Sequence, residues 1–229
     1  MICDNIALIK QQITRAAEAC SRNPEDIQLV AVSKRMPTER IQEARNCGQV
    51  VFGENYLQEA KEKITQLDRS VDWHFIGRLQ SNKTKLAAKL FQVVETVDRL
   101  KVARLLDKYA AELNKQLTVF IQVNIGEEEQ KSGIAPDKVF ELLAQTSKLQ
   151  HLRVRGLMMI PPLSKTPEER RPWFKELKQL SVMLAQKEFF YDNESVELSM
   201  GMSGDFKIAI EEGATLIRVG TAIFGPRPY

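Results

Sequence analysis

The sequence predicts an α/β protein, a single closed (β/α)8 barrel spanning residues 1–229, from three features. Eight short apolar runs, rich in valine and isoleucine, recur near Leu29, Val51, Phe75, Val94, Phe120, Leu157, Leu198 and Ile217, as in parallel strands buried on both faces. Between successive runs lies a stretch with apolar residues at helical spacing, the alternation of a parallel sheet and its crossover helices. Several runs end in lysine, asparagine, serine and glycine, at the C-terminal strand ends where α/β folds hold ligands. An open, doubly wound sheet shares these features. Closure explains more, because strands one and eight become neighbours and Lys34 then faces the small-residue turns after strands seven and eight.

Asp4 is placed to cap a helix through Cys20, with Ile6, Ile9, Ile13 and Ala17 on one face. A turn at 23–26 leads into the first strand, 29–32, and Lys34 follows directly. A lysine there either ends the strand and reaches into water or, partly desolvated, loses its proton and serves as a Schiff-base amine. Thr38 begins a helix with Ile41 and Ala44, closed by Gly48. The second strand, 50–52, ends in Gly53-Glu54-Asn55-Tyr56, and Asn55 either meets a ligand or caps the helix at 57–67. His74 lies near the start of the third strand, 72–77, and reads as a hydrogen-bonded structural histidine. The basic residues Arg78, Lys83, Lys85 and Lys89 read as a solvated helix face.

The fourth strand, 93–97, is followed by Asp98 as cap of a helix carrying Leu100, Ala103, Leu106 and Ala110. Strand five, 117–124, ends in an acidic loop whose Glu127, Glu128 and Glu129 lack metal-site spacing and are taken as solvated. Pro136 opens a helix turning Val139, Leu142 and Leu143 inward. Strand six, 152–160, ends at Pro161-Pro162, and its Met158 and Met159 either pack a planar ligand or fill the core, core filling being the better reading from sequence. Thr166 and Pro167 start a helix with Phe174, Leu177, Leu180 and Leu184 on its face. Strand seven, 195–200, leads into Gly201-Met202-Ser203-Gly204. There Ser203 is expected to cap the helix at 205–212, and the free N–H groups of its first turn offer an anion site. Strand eight, 215–221, carries Arg218 inside an apolar run, which requires an anionic or acceptor partner. Gly220 and Thr221 form a second turn whose backbone suits a phosphate, and residues 224–229 read as a terminal cap.

Composition narrows the function. A chain 43% hydrophobic buries one substantial core, and a net charge of +3 with 28% charged residues gives a mixed surface, not the one-sided field of a nucleic-acid binder. The three cysteines, Cys3, Cys20 and Cys47, lack CxxC spacing, so neither a disulfide framework nor a zinc site is indicated, and a reducing cytoplasm fits. With two histidines, a histidine-based metal site is not expected, and no membrane-spanning or signal segment is visible. A Schiff-base lysine facing a phosphate cradle suits a phosphorylated sugar aldehyde or ketone, or pyridoxal 5′-phosphate, and spacing does not choose between them.

Several segments carry a family resemblance: 29–34 ending in Val32-Ser33-Lys34; Phe52-Gly53-Glu54-Asn55-Tyr56; 73–83, from Trp73-His74-Phe75-Ile76-Gly77 to Asn82-Lys83; Gly156-Leu157-Met158; Leu198-Ser199-Met200-Gly201-Met202-Ser203; and Arg218-Val219-Gly220-Thr221. Together they resemble the pyridoxal phosphate homeostasis protein family, the YggS/PROSC group with its cyanobacterial PipY branch. The resemblance implies the barrel of the alanine racemase N-terminal domain, a TIM barrel of pyridoxal phosphate fold type III, without that enzyme's second β-domain. It implies Lys34 as the internal aldimine, Ser203, Gly204, Gly220 and Thr221 at the phosphate, Arg218 near the pyridine nitrogen, and Asn55 and Ser199 as further cofactor contacts. An arginine beside that nitrogen disfavours its protonation and weakens the ring as an electron sink. The chain ends just past strand eight, so the second acid/base group that racemases of similar fold draw from a further domain and a partner subunit is not expected. The resulting expectation is a cytoplasmic, monomeric pyridoxal phosphate carrier or regulator of vitamin B6 and amino-acid or keto-acid balance, with no catalytic residue assigned. Its partners are the cofactor and the apoenzymes that use it. The alternatives are a fold-type III enzyme with weak racemase or transaminase activity and a Schiff-base aldolase on a phosphorylated sugar.

Overall fold

The protein is represented by a computed structural model that describes residues 1–67, 70–128 and 130–226. Helix α1 (Ile2–Ala19) precedes eight strands: β1 (Gln28–Val32), β2 (Val51–Glu54), β3 (Asp72–Phe75), β4 (Val93–Val97), β5 (Leu117–Gln122), β6 (Leu152–Met158), β7 (Glu197–Met202) and β8 (Leu216–Val219). Between them run α2 (Thr38–Asn46), α3 (Leu57–Gln66), α4 (Thr84–Leu90), α5 (Leu100–Glu112), α6 (Val139–Thr146), α7 (Arg171–Ala185) and α8 (Phe206–Glu211), and α9 (Thr221–Phe224) follows β8. Each strand pairs in parallel with the next, and β1 closes on β8 in the register Val30↔Arg218 and Ala31↔Val219. The closed barrel is therefore realised, and the open sheet is not.

The buried residues divide into two layers. The larger lies between the barrel wall and the helices, and takes in Ile6, Ile9 and Ile13 of α1 as well as Phe174 and Leu177 of α7. A smaller cluster, Val30, Val51, Val93, Phe120, Met158 and Leu216, fills the barrel interior. Because side chains alternate across a strand, Glu95 and Arg218, two residues beyond Val93 and Leu216, point into the same interior one layer nearer the strands' C-terminal ends. Met158 and Met159 are both fully buried, as core filling requires.

Several local expectations are corrected. Helix α1 starts at Ile2 with Met1 as cap, and Asp4 pairs with the N-terminal ammonium at 3.0 Å instead of capping. Asp98 binds the guanidinium of Arg99, and the backbone of Arg99, not Asp98, caps α5. Strand β7 runs two residues past its expected end, through Gly201, because Met202 pairs with Arg218 of β8. Cys3 and Cys47 form a disulfide, which sequence spacing did not indicate: the barrel lays the start of α1 beside the end of α2, with the two Cα atoms 5.2 Å apart. Glu129 and residues 227–229 lie outside the described residues. None of the described helices is long and apolar enough to cross a membrane.

Candidate functional site

Lys34 leaves β1 in a tight turn closed by the Met36 N–H donating to the Ser33 carbonyl at 3.0 Å, and it is partly buried. Arg35 adopts φ +60°, a left-handed conformation that costs energy in a non-glycine residue. The turn is clamped from below. Ser33 donates its backbone N–H to Gly53 at 3.0 Å and its hydroxyl to Glu54 Oε1 at 2.6 Å. Lys63 of α3 donates to the Ser33 carbonyl at 2.7 Å, to Glu54 at 2.7 Å and to Glu59 at 2.6 Å, while Glu59 also accepts from the Arg35 N–H. Glu54 is fully buried; burial pushes its carboxyl upward, against the opposing pull of Lys63 and Ser33. Sequence reasoning missed Lys63. The available signal was its position three residues after Ala60 on the inward stripe of α3.

Asn55 stands at the end of β2. It does not cap α3, whose cap is Tyr56, and its Oδ1 is buried with no hydrogen-bond partner. Gly77, after β3, lies so close that a Cβ there would sit 2.1 Å from the Asn55 carbonyl oxygen, so only glycine permits this approach. An unpartnered buried amide oxygen at this strand end is available to a ligand donor.

Across the β1–β8 seam, the turns after β7 and β8 converge. The Gly220 N–H lies 3.4 Å from Ser203 Oγ, and the Thr221 hydroxyl lies 3.4 Å from the same atom. Gly204 is exposed, and a Cβ there would meet nothing within 4 Å, so its backbone is accessible. Ser203 does not cap α8. That position belongs to Asp205, which accepts from the Met202 N–H at 2.5 Å and from Arg170 at 2.6 Å, leaving Ser203 to face Gly220 and Thr221. The turn after β8 abuts the end of β1, since a Cβ on Gly220 would lie 3.3 Å from the Val32 carbonyl oxygen. Lys34 and the four small-residue positions therefore flank one mouth.

Arg218 lies inside that mouth, 4% exposed. It donates through Nη1 to Ser199 Oγ and through Nη2 to the Met159 carbonyl at 2.7 Å, and Nη1 stands 4.0 Å from Glu95 Oε2. A guanidinium has five N–H donors, so three have no protein acceptor among the described residues. Ser199, expected at a ligand, donates to Glu95 Oε2 and accepts from Arg218, which ties it to both side chains. Glu95 Oε1 completes the line at His74 Nδ1, 2.7 Å away, so His74 is hydrogen-bonded as expected. Burial by itself would raise the Glu95 carboxyl, but the hydrogen bond and charge of His74, with Arg218 and Ser199, hold it below its ordinary value. Burial lowers the Arg218 guanidinium, opposed by Glu95 and Asp205. Glu95 was missed from sequence, although a carboxylate inside the apolar run Val93–Val97 already required a buried partner.

A cavity of about 1120 Å³ opens at the opposite mouth, where it is lined by Asp72, His74, Phe120, Glu197 and Leu216 among others. It includes neither Lys34 nor the turns after β7 and β8. Barrels of this architecture place their chemistry at the C-terminal strand ends, so the Lys34 mouth is the functional candidate. No cluster of metal-ligating side chains occurs among the described residues.

The alanine racemase N-terminal domain family matches residues 5–228. The pyridoxal phosphate homeostasis protein of Vibrio alginolyticus is 46% identical, over 100% of this chain and 98% of its own length. That of Escherichia coli is 45% identical, over 100% of this chain and 97% of its own. The structure of PipY from Synechococcus elongatus with pyridoxal phosphate bound superposes with a TM-score of 0.85 at 37% identity, covering 98% of this chain and 100% of that one. Alanine racemase from Corynebacterium glutamicum, 16% identical with a TM-score of 0.69, covers 99% of this chain and 62% of its own and shares the fold. A chain matched over its full length by these relatives, and folded as they are, belongs to the pyridoxal phosphate homeostasis protein family, built on the alanine racemase N-terminal barrel.

Proposed function

We propose that this protein binds pyridoxal 5′-phosphate at the C-terminal mouth of its barrel, with Lys34 as the covalent tether, and serves as a carrier that maintains the cofactor supply without turnover. The observation that carries this reading is the convergence, across the β1–β8 seam, of Lys34 with the turns holding Ser203, Gly204, Gly220 and Thr221. The names of the relatives and the cofactor bound in PipY support it. The residues present fit the group. Ser203 and Thr221 offer hydroxyls to a phosphate, Gly204 an exposed backbone and Gly220 an N–H with only a long 3.4 Å contact to Ser203, while Asn55 offers an orphaned buried acceptor and Arg218 unused donors.

Bound there, the cofactor would supply an aldehyde that exchanges between Lys34 and free amines. Arg218, cationic in the barrel wall, opposes a second positive charge on the ring nitrogen, which suits storage better than carbanion chemistry. The partners proposed are apoenzymes that accept the cofactor, and the setting a monomer in the cytoplasm. Ser199 supports Arg218 rather than touching the cofactor.

The test is the absorption spectrum of the protein with added pyridoxal phosphate, for the wild type and Lys34→Ala, before and after candidate amino acids. A lysine-dependent band that survives amino acids without steady product is expected. A wild type that takes up no cofactor overturns the reading, and sustained conversion of an amino acid makes the protein an enzyme.

A further inference from the structure

The interior of the barrel holds a line of polar side chains of which the proposed function uses only Arg218. His74 of β3, Glu95 of β4, Ser199 of β7 and Arg218 of β8 come from four strands, and each is buried. The line has one polarity. His74 Nδ1 donates to Glu95 Oε1, the Ser199 hydroxyl donates its single proton to Glu95 Oε2, and Ser199 Oγ is thereby left to accept from Arg218. Glu95 thus receives both neighbours, and its charge balances Arg218 at 4.0 Å. A buried ion pair contributes little net stability compared with apolar residues of the same shape, so stability alone does not explain carrying one in the barrel interior.

We infer that Glu95, held by His74, is a positioning residue for the cofactor: through Ser199 it fixes the place and the charge of Arg218, and so sets how strongly the protein holds pyridoxal phosphate and how the bound ring absorbs light. The inference rests on the proposed function, since it takes Arg218 to lie beside the bound ring. Arg218 is constrained on two sides, by Ser199 at Nη1 and by the Met159 carbonyl at Nη2. Only the first side carries an anion behind it. Replacing Glu95 by glutamine keeps the shape and one acceptor but removes the counter-charge 4.0 Å from Arg218 and leaves only Asp205 acting on it, so the guanidinium shifts toward whatever acceptor the mouth provides. His74 Nε2 faces the opposite mouth, 4.0 Å from Asp72 Oδ2, so the line runs from solvent at the N-terminal end to the site at the other.

The experiment measures the dissociation constant of pyridoxal phosphate and the absorption maximum of the bound cofactor in the wild type, Glu95→Gln, Arg218→Met and the double variant, with circular dichroism reporting folding. A wild-type band that requires Lys34 establishes the proposed function independently, so its absence fails that reading and not this one alone. Given that band, Glu95→Gln is expected to weaken binding about tenfold and to displace the absorption maximum. In the Arg218→Met background the same change should have little further effect, because the residue it acts through is gone. A packing role would not move the absorption maximum. An unchanged affinity and spectrum in Glu95→Gln overturns the inference, as do effects of the two single changes that simply multiply. Should Glu95→Gln fail to fold, Ser199→Ala decides: it keeps both charges but removes the hydroxyl through which Glu95 acts on Arg218, so a displaced band supports the inference and a wild-type band overturns it.

Discussion

Lys63 and Glu54 face each other beneath the Lys34 turn with side chains 6% and 0% exposed. Removing one partner of such a pair leaves an uncompensated buried charge, so Lys63→Met should cost roughly 3–5 kcal/mol in denaturant unfolding. The neutral pair Lys63→Met with Glu54→Gln should recover much of that loss; a single variant as stable as the wild type would show that the clamp does not hold the turn. Glu95 supplies a pH dependence of definite sign. Its carboxyl is held below the ordinary 4.5, so its contribution to stability is present above that value and is lost as pH falls through its native value. The difference in melting temperature between wild type and Glu95→Gln should therefore shrink as pH drops below 4.5, and a difference that grows would contradict the assignment. At this scale the sequence already pointed to Lys34, to Arg218 as a residue in need of an acceptor, and to His74 as hydrogen-bonded. Ser199, Glu95 and Lys63 were illegible in their roles because those roles depend on partners 19 to 104 positions away or on the inward turn of a helix.

The turn from β7 into α8 is the element on which the proposed phosphate face depends. Gly201 has φ +93°, and a Cβ there would stand 2.6 Å from the Ala209 Cβ and 3.0 Å from the Phe206 Cα. Gly201→Ala combines a left-handed backbone with contacts to a packed helix, and should lose roughly 2–4 kcal/mol of stability together with cofactor affinity. Gly204→Ala is the control, since its added Cβ meets nothing within 4 Å; its melting temperature should match the wild type, and any change should show in cofactor binding alone. The strands were legible to within about two residues because continuous apolar runs mark burial on both faces. The extension of β7 through Gly201 was not, because glycine after a strand ordinarily reads as its end and only the pairing of Met202 with Arg218 carries the strand onward. Helix α9 was hidden for a similar reason: four residues after a strand give no periodicity to read.

For the whole molecule, α1 packs against α2, α8 and α9, so one helix braces both the element after the lysine turn and the elements after the phosphate-type turns. The Cys3–Cys47 disulfide staples the start of α1 to the end of α2 across 44 positions. In the chain-entropy account a loop of that length is worth roughly 4 kcal/mol. Cys47→Ser, or addition of a reductant to the wild type, should lower the melting temperature accordingly; equal melting of oxidised and reduced protein would mean that the crosslink does not constrain the unfolded chain. What the sequence by itself determined is the repeat: eight apolar runs, their intervening helices and the polar strand ends are local patterns, set by burial and side-chain alternation within a few residues. Closure was legible too, because eight units suffice to bring strand one beside strand eight. The tertiary structure alone decided which polar residues meet inside the barrel, that Ser199 supports Arg218 while Ser203 faces the open turn, and that two distant cysteines lie within bonding reach. These are pairings between residues far apart in the chain, and they exist only once the register of the closed barrel brings them onto one layer.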